Sequence, residues 1–206
     1  MNITLEQVSK RFQKYWIFKN ISYSFTSGNG YALLGNNGSG KSTLLRVIAG
    51  MQGASTGKVV YTDDAGTAIG TQHAFSSISF TAPGQEIVEE LTMREFLEFH
   101  FSFKRPLPGL DVDAIIKLTG LQVAADKPIS DYSSGMKQRV KLAQAIFSDT
   151  PILMLDEPCT NLDQAGVEQY REWMETYAKD RLVFVASNDV REYFFCTDKI
   201  LLESYK

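Results

Sequence analysis

The sequence predicts an α/β fold built around a mainly parallel β-sheet. The first observation is a set of short, continuously apolar runs, typical of strands covered on both faces: residues 31–34, 152–155 and 182–186. The second is that helical patterns separate these runs, so that strand and helix alternate along the chain. The third is the N-terminal segment, where apolar residues 21, 23 and 25 alternate with polar ones as in a half-buried strand.

The elements that follow are predicted from periodicity and from their end signals. A helix is expected over residues 43–49, with Gly50 as its C-terminal stop. Residues 57–81 are expected to form short strands and turns. Between the last two buried runs, the apolar residues at 167, 170, 174, 177 and 178 mark an amphipathic helix.

The middle of the chain, at about residues 84–150, is predicted to be a helical lobe inserted into the sheet. Thr92 and Glu95 form a capping box, and the helix after them ends before Pro106. A second helix is expected over 111–119, and a third begins near Ser133. One phenylalanine-rich stretch, at 96, 99, 101 and 103, is either the core of this lobe or a surface for a partner.

Composition excludes several classes of function. The chain has 206 residues, with 21 Lys and Arg against 24 Asp and Glu, so no global basic field favours nucleic acid. No apolar run approaches the 18 residues of a membrane-spanning helix, and the N-terminus does not resemble a signal peptide. Cys159 and Cys196 lack CxxC spacing, which indicates a reducing compartment.

A phosphate-binding loop is predicted at residues 35–42, where GNNGSGKS matches GxxxxGK[ST] between a buried strand and a helix. Glycines allow successive backbone N–H groups to point at phosphate oxygens, and the helix N-terminus adds partial positive charge. Lys41 is expected to reach the β- and γ-phosphates, and the Ser42 hydroxyl to bind Mg²⁺. The expected nucleotide-binding residues here are Gly35, Asn36, Asn37, Gly38, Ser39, Gly40, Lys41, Ser42 and Thr43.

Two carboxylates follow the apolar run at 152–155. A buried strand that ends in Asp156 places this carboxylate at the C-terminal edge of the sheet, beside the phosphate loop. We expect Asp156 to hold Mg²⁺ and Glu157 to act as general base on an attacking water. An apolar strand ending in Asp-Glu is by itself usually a surface turn, so this assignment depends on the phosphate loop.

With the segment YSSGMKQR at residues 132–139, the chain resembles the nucleotide-binding subunit of ABC (ATP-binding cassette) transporters. This segment is similar to the family's LSGGQ signature, with Ser133 and Gly135 retained. The resemblance covers about residues 3–203. It implies a RecA-like P-loop NTPase core with a mixed, mainly parallel sheet, an N-terminal antiparallel β subdomain and an inserted helical signature subdomain, together forming one domain over residues 1–206.

The resemblance also implies cofactors, partners and location. ATP and Mg²⁺ would bind at the phosphate loop, and Ser133 and Gly135 would close over ATP held by a second subunit, in a homodimer or heterodimer. A separate transmembrane permease would convert closure and hydrolysis into transport. The chain would then be cytoplasmic and peripheral on the inner face of the membrane, with no nucleic-acid partner.

Two further positions follow from the resemblance. Phe12 lies where the family places an aromatic ring on adenine, with Tyr15 and Trp16 as rival stackers and core packing as the alternative role. Asp163 ends a stretch that resembles the family's D-loop, which lies at the subunit interface and couples the two sites. Asp163 also suits a helix N-cap, and the two roles are compatible.

The sequence departs from the family pattern at two catalytic positions. Asn188 stands where the family has a histidine that contacts the γ-phosphate, and an amide can donate a hydrogen bond but carries no charge. The family's Q-loop glutamine is expected at Pro83, and Gln85 is the candidate that a loop shift would bring to the metal or water. An exposed loop glutamine is the alternative for Gln85.

These departures leave more than one function open. The first is the motor subunit of a transporter. The second is an ATP-dependent clamp or regulatory switch with weak or no hydrolysis, because Asn188 replaces the histidine. The third, an ATPase acting on ribosomes or DNA, is disfavoured by a single cassette, no heptad insertion and a slightly acidic balance.

Overall fold

The strands form two separate sheets in the computed structural model, which describes residues 1–206 apart from the side chain of Gln72. A four-stranded sheet has the order β2-β1-β4-β5 and is antiparallel throughout. A five-stranded sheet has the order β6-β7-β8-β3-β9 and is parallel throughout. The strands are β1 (Asn2–Phe12), β2 (Tyr15–Phe25), β3 (Gly30–Leu34), β4 (Thr56–Thr62), β5 (Ala68–Ile69), β6 (Ile78–Thr81), β7 (Ile152–Asp156), β8 (Leu182–Ala186) and β9 (Asp198–Leu201).

The helices confirm the predicted alternation and add one short element. They are α1 (Lys41–Ile48), α2 (Thr71–Ser76), α3 (Met93–Phe103), α4 (Val112–Thr119), α5 (Ser134–Ile146) and α6 (Gln164–Tyr177). The sequence did not predict α2, because its six residues are too few to show a helical period. Thr92 forms the expected capping box with Glu95, and Asp111 and Ser133 cap α4 and α5 through their side-chain oxygens.

The parallel sheet separates two hydrophobic cores. Side chains that alternate along a strand point to opposite faces, so each central strand contributes to both cores. The core shared with α3–α6 takes Leu153, Leu155, Val183 and Val185. The core shared with α1 and the antiparallel sheet takes Ile152, Met154, Leu182 and Phe184. The helices α3, α4 and α5 lie within the stretch predicted as the inserted lobe, residues 84–150.

The four phenylalanines of α3 divide between core and surface. Phe96 and Phe101 are buried, whereas Phe99 is 57% exposed and Phe103 is 75% exposed. The Phe99 and Phe103 rings meet edge to face with centroids 5.2 Å apart. Both roles considered for this stretch are therefore present, one on each side of the helix.

His100, on α3, makes the stability of this fold sensitive to acid. Its Nε2 lies 2.9 Å from Ser148 Oγ, and burial, with a smaller contribution from Lys104, lowers the pKa of His100 from 6.5 to about 4. The unfolded chain therefore binds a proton more readily, so the stabilisation is present above pH 6.5 and is lost as pH falls toward 4. We expect unfolding free energy to drop on the order of 2 kcal/mol over this interval through His100 alone.

Denaturant unfolding of His100→Gln at several pH values checks this expectation, because glutamine can still donate to Ser148 but does not titrate. The variant should lose less stability than the wild type between pH 6.5 and 4. His73→Gln, at an exposed histidine, is the matched control and should keep the wild-type slope. Equal slopes in His100→Gln and the wild type would contradict the assignment.

Candidate nucleotide-binding site

The predicted functional segments meet at the carboxyl edge of the parallel sheet. The phosphate loop follows β3, the carboxylates follow β7 and Asn188 follows β8. Because β3, β7 and β8 are parallel and β8 pairs with both others, their carboxyl ends lie side by side. A cleft of about 250 Å³ opens here, lined by Ile17, Asn37, Gly38, Gly40, Lys41, Ser42, Thr43 and Glu157.

The phosphate loop has the backbone that its glycines predict. Gly35, Gly38 and Gly40 have φ values of 147°, 78° and 108°, a region that residues with a Cβ rarely adopt. The loop closes through Ser39 N–H, which donates to Asn36 O at 2.9 Å. Lys41 is buried, and its Nζ donates to Gly35 O at 2.6 Å. The ammonium is thus held by carbonyls of its own loop, and Lys41 lines the cleft.

Asp156 and Ser42 fit a divalent cation. The Asp156 carboxylate is buried, and its Oδ1 makes no hydrogen bond to any described residue. Burial raises the pKa of Asp156, and the nearby Ser42 hydroxyl partly opposes this rise. An unpartnered buried carboxylate beside a hydroxyl is the oxygen donor set that Mg²⁺ prefers. These two side chains are therefore suited to Mg²⁺ next to bound phosphates.

Glu157 is held in an unusual backbone conformation at the same edge. Its φ is 45°, a left-handed value that costs a non-glycine residue roughly 1–3 kcal/mol. Its N–H donates to Ala186 O, the last residue of β8, at 2.9 Å. The side chain is exposed and lines both the phosphate-loop cleft and a neighbouring cleft that contains Asn188. This turn directs Glu157 out of the sheet edge instead of into the core.

Asn188 contacts the phosphate loop directly. Its Oδ1 accepts a hydrogen bond from Gly35 N–H at 3.4 Å, and its Nδ2 donates to Asn37 Oδ1 at 3.4 Å. Both bonds are long, so the amide is oriented but weakly held. The structure therefore brings Asn188 to the loop, within a second cleft shared with Glu157.

Two residues that sequence reasoning missed also contact the phosphate loop. Glu203 accepts a hydrogen bond from Asn36 N–H at 2.7 Å, and this bond lowers the pKa of Glu203. Lys206 Nζ donates to Ser39 O at 2.8 Å and to Ile17 O at 3.0 Å. The available signal is topological: β9 is parallel to β3, so residues after β9 must lie beside the loop that follows β3.

Phe12 and Gln85 are not among the residues that line the phosphate-loop cleft. Phe12, at the end of β1, is 46% exposed, and Tyr15 and Trp16 are also exposed. Phe12 is therefore not a core aromatic, which removes the alternative role considered for it. Gln85 follows β6 and lines a groove of about 750 Å³ formed by residues 83–90 with Lys137 and Lys141. Its role in catalysis stays a prediction.

The signature segment forms a cleft of its own, the signature cleft, which is lined by Ser133, Ser134, Gly135, Met136, Arg139, Asn161, Leu162 and Asp163. Ser133 Oγ accepts from Met136 N–H at 3.3 Å as the N-cap of α5. A Cβ on Gly135 would lie 2.9 Å from Asn161 O, so glycine permits close approach of the loop that precedes α6. Asp163 caps α6 and pairs with Arg139 at 3.3 Å, while its side chain stays largely exposed.

Comparison with known proteins identifies the family. Residues 18–160 match the sequence profile of ABC transporters, which covers more than half of the chain. The chain therefore belongs to the ABC transporter family, as its ATP-binding component. This finding confirms the resemblance drawn from the phosphate loop and the signature segment.

Individual relatives include proteins of both import and export. A sulfate/thiosulfate import ATP-binding protein, CysA, from Thermosynechococcus vestitus is 33% identical over 98% of this chain and 61% of its own length. The chain thus spans about three fifths of the length of that relative. A cytochrome c biogenesis ATP-binding export protein, CcmA, from Rhizobium johnstonii is 30% identical over 91% of this chain and 87% of its own length.

Solved structures support the fold. An ABC transporter ATP-binding protein from Pyrococcus furiosus superposes with a TM-score of 0.81 at 21% identity, covering 100% of both chains. A bacterial Atm1-family ABC exporter with ATP bound gives a TM-score of 0.80 at 19% identity, covering 97% of this chain and 37% of that one. The predicted P-loop NTPase fold is thereby confirmed.

The approach of β2 to the phosphate loop generates a prediction about Gly40. A Cβ on Gly40 would lie 2.4 Å from Ile17 Cγ2, and the φ of 108° is strained for any side chain. We expect Gly40→Ala to destabilise the protein by roughly 1–3 kcal/mol. Gly38→Ala is the matched control, because its φ is also positive but no described atom lies within 4 Å of the added Cβ.

Denaturant unfolding of both variants measures the difference. Adding Ile17→Ala to Gly40→Ala should recover part of the loss, because it removes the clashing methyl group. A Gly40→Ala variant no less stable than Gly38→Ala would show that β2 does not constrain the loop.

Proposed function

We propose that this chain binds and hydrolyses ATP as the motor subunit of an ABC transporter. The observation that carries the proposal is that the phosphate loop and Glu157 line one cleft at the carboxyl edge of the sheet, with the buried Asp156 immediately before Glu157. Family membership supports the choice of ATP as the ligand and transport as the purpose. The proposal covers ATP hydrolysis, its coupling to transport and the partner subunits described below.

The residues of the cleft have separable roles in binding. Backbone N–H groups of the phosphate loop bind the triphosphate, and Lys41 exchanges its bonds to Gly35 O and Asn36 O for phosphate oxygens. Ser42 and Asp156 would hold Mg²⁺, which would neutralise charge on the bound phosphates. The exposed rings at Phe12, or its neighbours, supply a stacking surface for adenine.

Hydrolysis requires a general base for the attacking water and a hydrogen-bond donor for the γ-phosphate. Glu157, whose side chain is exposed at the cleft, is the proposed general base for the attacking water. Asn188 donates from Nδ2 toward the same region and stabilises phosphate without adding charge. Gln85 reaches the site after a shift of the loop that follows β6.

A second subunit completes the site in this proposal. In the part of the chain that the structure describes, the signature cleft and the phosphate-loop cleft share no lining residue. Ser133 and Gly135 start a helix whose first-turn N–H groups suit an anion. We place these residues over ATP bound by a second copy or a related chain, with Asp163 at the interface.

A membrane permease is the proposed second partner. Among the described residues, none of the helices combines the length and apolar composition needed to cross a bilayer. The groove at residues 83–90 is part of the helical lobe, and Phe99 and Phe103 are exposed on the surface of the same lobe. A docked permease would cover this apolar surface and hold the chain on the cytoplasmic face of the membrane.

The alternative is an ATP-dependent clamp that closes on nucleotide with weak or no hydrolysis. The observation favouring it is Asn188, which is hydrogen-bonded to Asn37 and Gly35 and carries no charge toward the γ-phosphate. ATP binding and dimer closure would be unchanged in this case. Only turnover separates the two functions.

Nucleotide titration and steady-state ATPase assays test the proposed function. Lys41→Ala should weaken ATP binding at least ten-fold, because it removes the buried ammonium from the phosphate site. Glu157→Gln should bind ATP normally and lower kcat by roughly 10²–10⁴-fold, because it removes the base.

The outcomes distinguish the alternatives. Equal and negligible rates in the wild type and Glu157→Gln, with tight ATP binding in both, would favour the clamp. Unchanged ATP affinity in Lys41→Ala would contradict the phosphate-loop assignment itself.

Dimer closure has its own test. Ser133→Arg should abolish ATP-driven dimerisation in sedimentation velocity, because a long charged side chain at the α5 N-terminus blocks approach of a second phosphate loop. Ser130→Arg, at an exposed serine before the signature segment, is the control. A normal ATP dimer of Ser133→Arg would show that the signature cleft does not face a partner.

A further inference from the structure

One peptide group in the loop after Glu157 is held by side chains at both of its ends. Gln138 Nε2 donates to Pro158 O at 2.7 Å. Cys159 N–H donates to Glu192 Oε1 at 2.7 Å. Pro158 O and Cys159 N belong to the same peptide bond, so the two side chains fix the orientation of a single planar group.

The two side chains come from two different segments, the signature helix α5 and the segment that follows Asn188. Gln138 lies on α5, the helix that begins at the signature segment, and is 3% exposed. Glu192 lies in the segment after Asn188 and is 4% exposed. Its backbone carbonyl accepts a hydrogen bond from Tyr170 OH at 2.6 Å. Both side chains are therefore buried where they contact the loop, and the backbone of Glu192 is anchored to α6 through Tyr170.

The loop that they contact is strained. Glu157 has a φ of 45° and Asn161 a φ of 65°, and neither is glycine. Such residues persist only where the surroundings over-determine the backbone. The Pro158–Cys159 peptide lies between them, so its orientation sets how Glu157 leaves the sheet edge.

We propose that Gln138 and Glu192 are positioning residues that hold the Pro158–Cys159 peptide and thereby aim Glu157 at the attacking water. This inference rests on the proposed ATPase function. Because Gln138 is on the signature helix and Glu192 follows Asn188, the same peptide links the signature half-site to the catalytic half-site of one chain. Neither side chain touches ATP in this scheme.

Glu192 is tested by a pair of variants in steady-state ATPase assays. Glu192→Met removes the acceptor of the Cys159 N–H and should lower kcat on the order of ten-fold, with the KM for ATP within about two-fold of wild type. Glu192→Gln keeps an oxygen that can accept this bond, so it should retain most of the wild-type kcat. A merely structural carboxylate would not give this split between kcat and KM.

Gln138 is tested in the same assay with a matched control. Gln138→Met removes the donor to Pro158 O and should also lower kcat on the order of ten-fold. Gln169→Met is the control, because Gln169 likewise donates to a backbone carbonyl, Leu118 O at 2.8 Å, on the helix α6. Gln169→Met should keep the wild-type kcat.

The double variant Gln138→Met/Glu192→Met shows whether both residues act through one peptide. Its kcat should be close to that of the more impaired single variant, because either loss already frees the peptide. Losses that multiply would mean independent effects and would overturn the shared mechanism. Thermal unfolding of every variant confirms folding, and if a methionine variant does not fold, Gln138→Leu or Glu192→Leu, which also removes the hydrogen bond to the peptide, takes its place.

Failure of this inference is distinct from failure of the proposed function. Wild-type hydrolysis with an unimpaired kcat in Glu192→Met and Gln138→Met would overturn the positioning role alone. A wild type without turnover, together with normal ATP binding, would instead overturn the ATPase proposal on which the inference rests.

Discussion

The common direction of the five strands in the parallel sheet is the constraint on which the site depends. Because β3, β7 and β8 end at the same edge, segments separated by more than 100 residues in sequence meet within one cleft. The same geometry brings the residues after β9 against the phosphate loop, where Glu203 and Lys206 hold it from outside. An antiparallel neighbour would have sent these segments to the opposite edge.

The site also depends on positive-φ backbone conformations, which the surrounding contacts stabilise. Gly35, Gly38 and Gly40 adopt positive φ values without steric cost, whereas Glu157 adopts one against its preference. The N–H groups of Gly38 and Gly40 make no hydrogen bond to any described residue, so they are available to a ligand. The strain at Glu157 is offset by hydrogen bonds from β8, α5 and the segment after Asn188.

Local signals predicted most of the fold and the site residues, and long-range contacts account for the rest. The apolar strands, the caps at Thr92 and Ser133 and the phosphate loop are each encoded within a few neighbouring residues. The approach of Ile17 to Gly40 and the hydrogen bonds of Glu203 and Lys206 to the phosphate loop arise from tertiary packing, which no local pattern records. The α3 phenylalanines show the same limit, because their spacing fits a helix but does not tell which side is covered.

The helix α5 ties the proposed docking groove to the proposed catalytic loop through neighbouring side chains. Lys137 pairs with Glu89 at 2.7 Å and Lys141 donates to Pro83 O at 3.1 Å, both within the groove at residues 83–90. Gln138 and Arg139 lie between these two lysines in sequence. Gln138 contacts the loop after Glu157, and Arg139 contacts Asp163, the N-cap of α6. Since these contacts belong to one rigid helix, a partner that moves the groove moves the hydrogen bond to Pro158 O as well. Gln138 is buried and its bond is short, so this link is less screened by water than the exposed Arg139–Asp163 pair.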